Sequence, residues 1–259
     1  MDEAELVAGL IKAGFEPIKT FRLSGNKLPD RDSVEALSAG VVAVVSGDGT
    51  IASVCEAMAG WSGEILVFPG GTMNLLSKRL HGDCTAAELL ERLAAGPAEA
   101  SAISVVKTAG KEVLTGLIAG PSTEWGKVRE SIRNLDIADI ALKLPEAWAA
   151  TTSSESVRVE GHDGGYPAIF VEPLDNGNLA VRAIKADGVG DMLSHGIAWL
   201  RRDFRDGPHD DLGEMRAVTI IDDSDETLGL LIDGEQDDGQ SPFTCTASKS
   251  SVRFVRTVS

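Results

Sequence analysis

Val41-Val42-Ala43-Val44-Val45-Ser46-Gly47-Asp48-Gly49-Thr50 and Ile65-Leu66-Val67-Phe68-Pro69-Gly70-Gly71-Thr72 share one grammar. Each is a continuous apolar run, then a short glycine-bearing loop, then a helical stretch. The first helix is expected to reach Met58, and the second to run from about Met73 to Leu80. Apolar strands of this kind, flanked by helices, indicate a parallel sheet covered on both faces. Upstream, Leu6, Val7, Leu10 and Ile11 recur at helical spacing before Gly14, and Asp30 to Leu37 opens a second helix with acidic residues. Glu16 to Phe21 is expected as a short strand between them.

Near Ala100 the grammar changes. Ser101–Lys107 and Glu112–Ile118 pattern as two strands joined at Ala109-Gly110, and Glu124–Ala150 patterns as a long amphipathic helix. Short strand candidates follow at Ser156–Glu160, Pro167–Glu172, Asn178–Ile184, Ala217–Ile221, Leu228–Ile232, Thr244–Thr246 and Val252–Val255. His162-Asp163-Gly164-Gly165 and Asp175-Asn176-Gly177 supply turn signals between them. The expected fold class is α/β. A Rossmann-like parallel α/β domain over residues 1–100 precedes a mostly antiparallel β-sandwich domain over residues 101–259.

The chain has 24 Lys+Arg against 40 Asp+Glu, a net charge of −16. That balance excludes a nucleic-acid backbone as partner, because phosphate binding needs clustered cations. Cys55, Cys84 and Cys245 are odd in number and lack metal-ligand spacing, so a reduced cytoplasmic protein is expected. The apolar runs are too short to span a bilayer. His81, His162, His195 and His209 share no ligand spacing and are expected at surfaces or turns.

Both glycine loops leave the carboxyl end of a strand and enter a helix. Amides at such a helix start lack intrahelical acceptors and carry the positive end of the dipole, which favours an anion. Glycine lets the backbone approach phosphate or take φ > 0, and Thr50 or Thr72 can cap a helix or reach a phosphate oxygen. A bland alternative stays open, since any strand-to-helix turn tolerates Gly and a capping Thr. Walker A and dinucleotide fingerprints are absent from the sequence.

Ser46-Gly47-Asp48-Gly49-Thr50 resembles the G-G-D-G-T signature of the diacylglycerol kinase catalytic-domain superfamily, which includes bacterial lipid kinases and sphingosine kinases. Pro69-Gly70-Gly71-Thr72-Met73-Asn74 resembles the P-x-G-T-x-N element of its lipid-kinase branch, and Ile232-Asp233-Gly234-Glu235 its D-G-E element. The resemblance implies an ATP- and Mg²⁺-dependent kinase that phosphorylates the hydroxyl of diacylglycerol or a related lipid in a cleft between two domains. It places Ser46, Gly47, Asp48, Gly49, Thr50, Gly71, Thr72 and Asn74 at the ATP phosphates. It makes Asp233 the base that accepts the lipid hydroxyl proton, with Glu235 in support and Asp48 the next carboxylate for the reaction. No metal ligands are assigned. Asp233 also fits a plain type I′ Asp-Gly turn. Three departures stand out: Ser46 replaces the first motif glycine, Leu75 replaces the family's aspartate after Asn74, and the opening strand with its N-P-x-x-G loop is missing.

The implied partner is a lipid at a membrane surface, with peripheral membrane association and a homodimer both left open. Two other readings remain: a catalytically impaired homologue that binds nucleotide or lipid, and an NAD kinase, which the Pro69–Asn74 element disfavours. Trp125, Trp148 and Trp199 are expected in the core, Arg201, Arg202 and Arg205 on a solvated helix face, and Asp222–Glu226 in an exposed turn.

Overall fold

The structure is a computed structural model that describes residues 2–22, 28–71, 74–96, 98–121, 156–184, 209–223 and 227–258. The chain divides into two units, Met1–Ile103 with Lys249–Ser259, and Ser104–Ser248.

In the first unit, α1 (Glu3–Lys12) starts at a capping box between Asp2 and Glu5, and α2 (Arg31–Glu35) starts at Asp30. Then come β1 (Val41–Ser46), α3 (Asp48–Ala57), β2 (Glu64–Pro69), α4 (Leu75–His81), α5 (Ala86–Ala95) and β3 (Glu99–Ser101). β1 and β2 pair in parallel, as their unbroken apolar runs demand. Leu66 and Phe68 pack with Leu10 of α1 and Leu89, Leu90 and Leu93 of α5, while Ile65 and Val67 on the opposite face are fully buried as well. The order of this sheet is β1-β2-β15-β3, where β15 is Arg253–Arg256 from the end of the chain.

Placement of β15 corrects the expected domain bounds: Val252–Val255 does form a strand, but Lys249–Ser259 belongs to the first unit rather than the second. Phe254 pairs in parallel with Ile65 and antiparallel with Ser101, and it is fully buried. A second correction concerns Glu16–Phe21, which forms no strand. Pro17 cannot donate a ladder hydrogen bond, Ile18 is 61% exposed, and Lys19 Nζ lies over the Phe21 ring at 4.7 Å.

The second unit holds β4 (Ser104–Lys107), β5 (Glu112–Val113), β6 (Leu117–Pro121), β7 (Val157–Val159), β8 (Ala168–Pro173), β9 (Leu179–Ile184), β10 (His209–Met215), β11 (Ala217–Asp222), β12 (Thr227–Ile232), β13 (Glu235–Gln240) and β14 (Phe243–Lys249). They form a six-stranded sheet, β10-β9-β8-β6-β12-β13, and a five-stranded sheet, β5-β4-β14-β11-β7. Alternate residues of both sheets fill one core, among them Leu117, Ile169, Val171 and Val181 from the first and Val106, Val159, Ile220 and Cys245 from the second. This is the expected sandwich. The edge strands β10 and β13 went unread in the sequence, since His-Asp-Asp-Leu and Glu-Gln-Asp-Asp disfavour strands. On an edge, such charges discourage pairing with another chain.

His81 overturns its expectation as a surface residue, because it is fully buried. Its Nδ1 lies 3.2 Å from Thr257 Oγ1. Burial pushes the imidazole down to about 4, reinforced by the Arg92 and Arg256 charges and opposed by the Val67 carbonyl. The unfolded chain binds a proton below about pH 6.5 that the native state refuses until about pH 4. Stability from His81 is therefore complete above pH 6.5 and is lost as pH falls toward 4, by roughly 3 kcal/mol in all. Denaturant titrations at intervals across that range are expected to show the decline in the wild type and a shallower one in His81→Leu.

Candidate functional site

The parallel register sets Ser46 opposite Pro69, so the two glycine loops leave neighbouring strands side by side. They are also in contact. A Cβ on Gly71 would stand 2.6 Å from Gly47 Cα, and one on Gly70 would stand 2.6 Å from the Ser46 amide nitrogen. Gly47, Gly70 and Gly71 all lack positive φ. Glycine is required at 70 and 71 by the close approach of one loop to the other, not by a left-handed backbone.

Neither helix start uses a threonine as its N-cap. Gly47 is the N-cap of α3 and offers no side-chain acceptor, and Thr50 lies inside that helix. The first-turn amides at Asp48, Gly49 and Thr50 consequently have no intrahelical acceptor and no side-chain cap. The start of α4 differs. Asn74 is its N-cap at φ 53°, and its Oδ1 accepts from the Gly70 and Gly71 amides at 3.0 and 2.8 Å. Its Nδ2 donates to the Gly71 carbonyl. Asp48 reaches across from the first loop and accepts from the Leu75 amide at 3.1 Å and the Leu76 amide at 3.0 Å. The Gly70, Gly71, Leu75 and Leu76 amides thus all have side-chain acceptors, whereas the start of α3 has no side-chain cap. Thr72 lies outside the described residues, as do Trp125, Trp148, Trp199, His195, Arg201, Arg202, Arg205, the helical stretch 124–150 and residues 224–226 of the acidic run.

Because Asp48 caps a helix to which it is not adjacent, Asp48→Ala should strip two amides of their acceptor. The expected loss is about 1–2 kcal/mol of stability, read by chemical denaturation. Asp48→Asn keeps one acceptor oxygen and should lose less.

In the second unit, Asp233 and Gly234 form the two-residue turn between β12 and β13, with φ of 50° and 86°. The backbone is that of a type I′ turn. The side chain, however, does not point to water. Asp233 is 5% exposed, and its Oδ2 accepts from the Leu114 amide at 2.9 Å. Oδ1 accepts from the Thr115 amide and Thr115 Oγ1, both at 2.7 Å, and from the Gly116 amide at 3.3 Å. The Asp233 amide in turn donates to the Gly116 carbonyl at 3.0 Å. Burial pushes the carboxyl up, against the hydrogen bonds from 114–116 that favour its charged form. Glu235 is exposed. Residues 114–116 interrupt the strand expected over Glu112–Ile118, splitting it into β5 and β6. Nothing local in the sequence marks Thr115 as a partner of Asp233.

The start of α3 has no side-chain cap, and the amides and dipole of a helix start favour an anion such as a phosphate. A protein cage for a metal is not seen, since no group of three or more His, Cys, Asp or Glu side chains among the described residues could hold an ion. Mg²⁺ bound through phosphates needs only one or two carboxylates. No helix of the described residues is long and apolar enough to cross a membrane.

Residues 18–106 match the family model of the diacylglycerol kinase catalytic domain. No curated protein matches the sequence. Among solved structures, a diacylglycerol kinase from Bacillus anthracis str. Sterne superposes with a TM-score of 0.61 at 15% identity, covering 99% of this chain and 92% of that one. Another protein of that strain, provisionally named a diacylglycerol kinase, gives 0.59 at 17% identity over 89% of this chain and 82% of its own. These likenesses establish a shared fold. Residues 18–106 thus resemble the diacylglycerol kinase catalytic domain, within a chain that carries the fold of those bacterial proteins.

Proposed function

We propose that the protein transfers the γ-phosphate of ATP to the hydroxyl of diacylglycerol or a related lipid. The observation that carries this reading is the pair of interlocked loops, with Ser46 in register with Pro69 and no side-chain cap over the Asp48, Gly49 and Thr50 amides at the start of α3. Those amides would receive the phosphates, beside Gly71 and Asn74. Phosphoryl transfer asks little covalent help of a protein, so positioning, charge neutralisation and one carboxylate near the nucleophile suffice. In this reading Asp233 accepts the lipid hydroxyl proton and Glu235 supports it. Mg²⁺ would enter with the nucleotide and neutralise charge on its phosphates. A lipid substrate implies a cytoplasmic protein working at a membrane surface, and a homodimer is compatible with that role.

A second reading, an impaired homologue that binds nucleotide without transfer, draws on one feature. Asp48 is committed to the α4 amides, and Leu75 stands where the family pattern has an aspartate. The deciding experiment incubates the protein with γ-labelled ATP, Mg²⁺, a lipid panel and NAD. Label in a lipid supports the kinase reading, and ATP binding without label supports the impaired one. Label in NADP would show an NAD kinase.

A further inference from the structure

The carboxylate of Asp233 is held asymmetrically. Three of its four hydrogen bonds fall on Oδ1, from the Thr115 amide, Thr115 Oγ1 and the Gly116 amide, and one falls on Oδ2, from the Leu114 amide. A carboxylate oxygen has two lone pairs, so Oδ1 is saturated and, among the described residues, Oδ2 has a partner for only one of its two. The main-chain donors of this set are present whatever side chain stands at 115. Thr115 Oγ1 is the one side-chain donor among them, and at 2.7 Å it is as short as the closest amide. The hydroxyl and the amide of one residue therefore fix the carboxylate plane, which aims the remaining Oδ2 lone pair in a single direction.

We propose that Thr115 is a positioning residue for proton acceptance by Asp233: its hydroxyl holds Oδ1 so that Oδ2 faces the lipid hydroxyl. This rests on the lipid-kinase reading and adds to it a residue that no motif marks. The step is simple to balance. The lipid oxygen forms its bond to the γ-phosphorus as the bond to the bridging oxygen of ADP breaks, and the hydroxyl proton passes to Asp233 Oδ2.

Among the described residues, few other groups could change this titration. β6 and β12 carry no ionisable side chain; β5 carries Glu112, close to Lys107, and β13 carries Glu235, Asp237 (bound to Lys111) and Asp238. Burial and the donors of 114–116 act on the carboxyl directly.

The test compares wild type, Thr115→Val, Thr115→Ser and Asp233→Asn, with dioleoylglycerol in mixed micelles and Mg-ATP. Val keeps the shape and removes the donor. A hydrogen bond to a charged group is worth a rate factor of roughly tenfold or more, so kcat should fall about tenfold in Thr115→Val with KM for ATP unchanged. The acid limb of its pH–rate profile should move up by about one pH unit, because the charged form of the base has lost a donor. Thr115→Ser, which retains the hydroxyl, should recover most of the rate and the wild-type limb. A merely structural threonine would move neither the limb nor the Ser/Val ratio. If Thr115→Val keeps kcat within about twofold of wild type while Asp233→Asn is crippled, the positioning role is overturned and the kinase reading stands. Equal losses in Ser and Val also overturn it. Absence of transfer by the wild type overturns the kinase reading, and the positioning role falls with it.

Discussion

Gly71→Ala is expected to lower the thermal midpoint by about 3–10 °C, from an overpacking cost of about 1–3 kcal/mol. The added Cβ would stand 2.6 Å from Gly47 Cα, a backbone atom that cannot swing aside like a side-chain tip. Relief requires the second loop to move off the first, which breaks the Asn74 bonds to the Gly70 and Gly71 amides or the Asp48 bonds to α4. ATP affinity should fall with stability, because the displaced second loop no longer stands beside the start of α3. Gly47→Ala separates the two effects. Its Cβ would meet Gly71 Cα at 3.7 Å, an ordinary contact, so the fold should hold. If phosphate approaches Gly47 closely, ATP affinity alone should drop, as read by calorimetry beside a melting curve. Full thermal stability in Gly71→Ala would show that the loops can part freely, and the account of their contact would be wrong.

Asp233→Asn should reduce turnover by about 10²- to 10⁴-fold, the usual contribution of a positioned base, with ATP affinity nearly unchanged. The fold should survive, since Asn tolerates the left-handed backbone at φ 50° and retains one carbonyl oxygen to accept from the 114–116 turn. The cost is that its amide group turns a donor toward a main-chain donor at either Leu114 or Thr115. A stability loss of about 1–3 kcal/mol is expected from that mismatch, so rates are to be compared at a temperature where both proteins are folded. Activity within about threefold of wild type, far above the range for a lost base, would remove Asp233 from the reaction and leave it as a latch for the turn.

Sequence by itself determined the two strand–loop–helix units, because the forces that form them are local. Val41–Val45 and Ile65–Phe68 are apolar without interruption, the mark of parallel-sheet strands, and the glycine loops after them lead into the helices, although β1 at the sheet edge leaves Val45 exposed. Apolar runs in Pro167–Glu172 and Asn178–Ile184, bounded by turn signals, likewise marked strands, and the fold buries them almost throughout as β8 and β9. The motif residues were readable as members of a family pattern, but not the bonds they make. Asp48 spends its carboxylate on amides 27 and 28 residues away, and Asp233 on an amide 119 residues away. Neither partner carries a side-chain signature, because the donors are main-chain amides that every non-proline residue possesses. The same reason hid the destination of β15, whose short apolar run would suit several sheets and is settled only by the place left between β2 and β3. Acidic β10 and β13 become strands because β9 and β12 offer them a ladder, and Glu16–Phe21, with no such neighbour, does not. His81 is buried by the return of Thr257 onto the end of α4, a contact across 176 residues that only the folded chain makes.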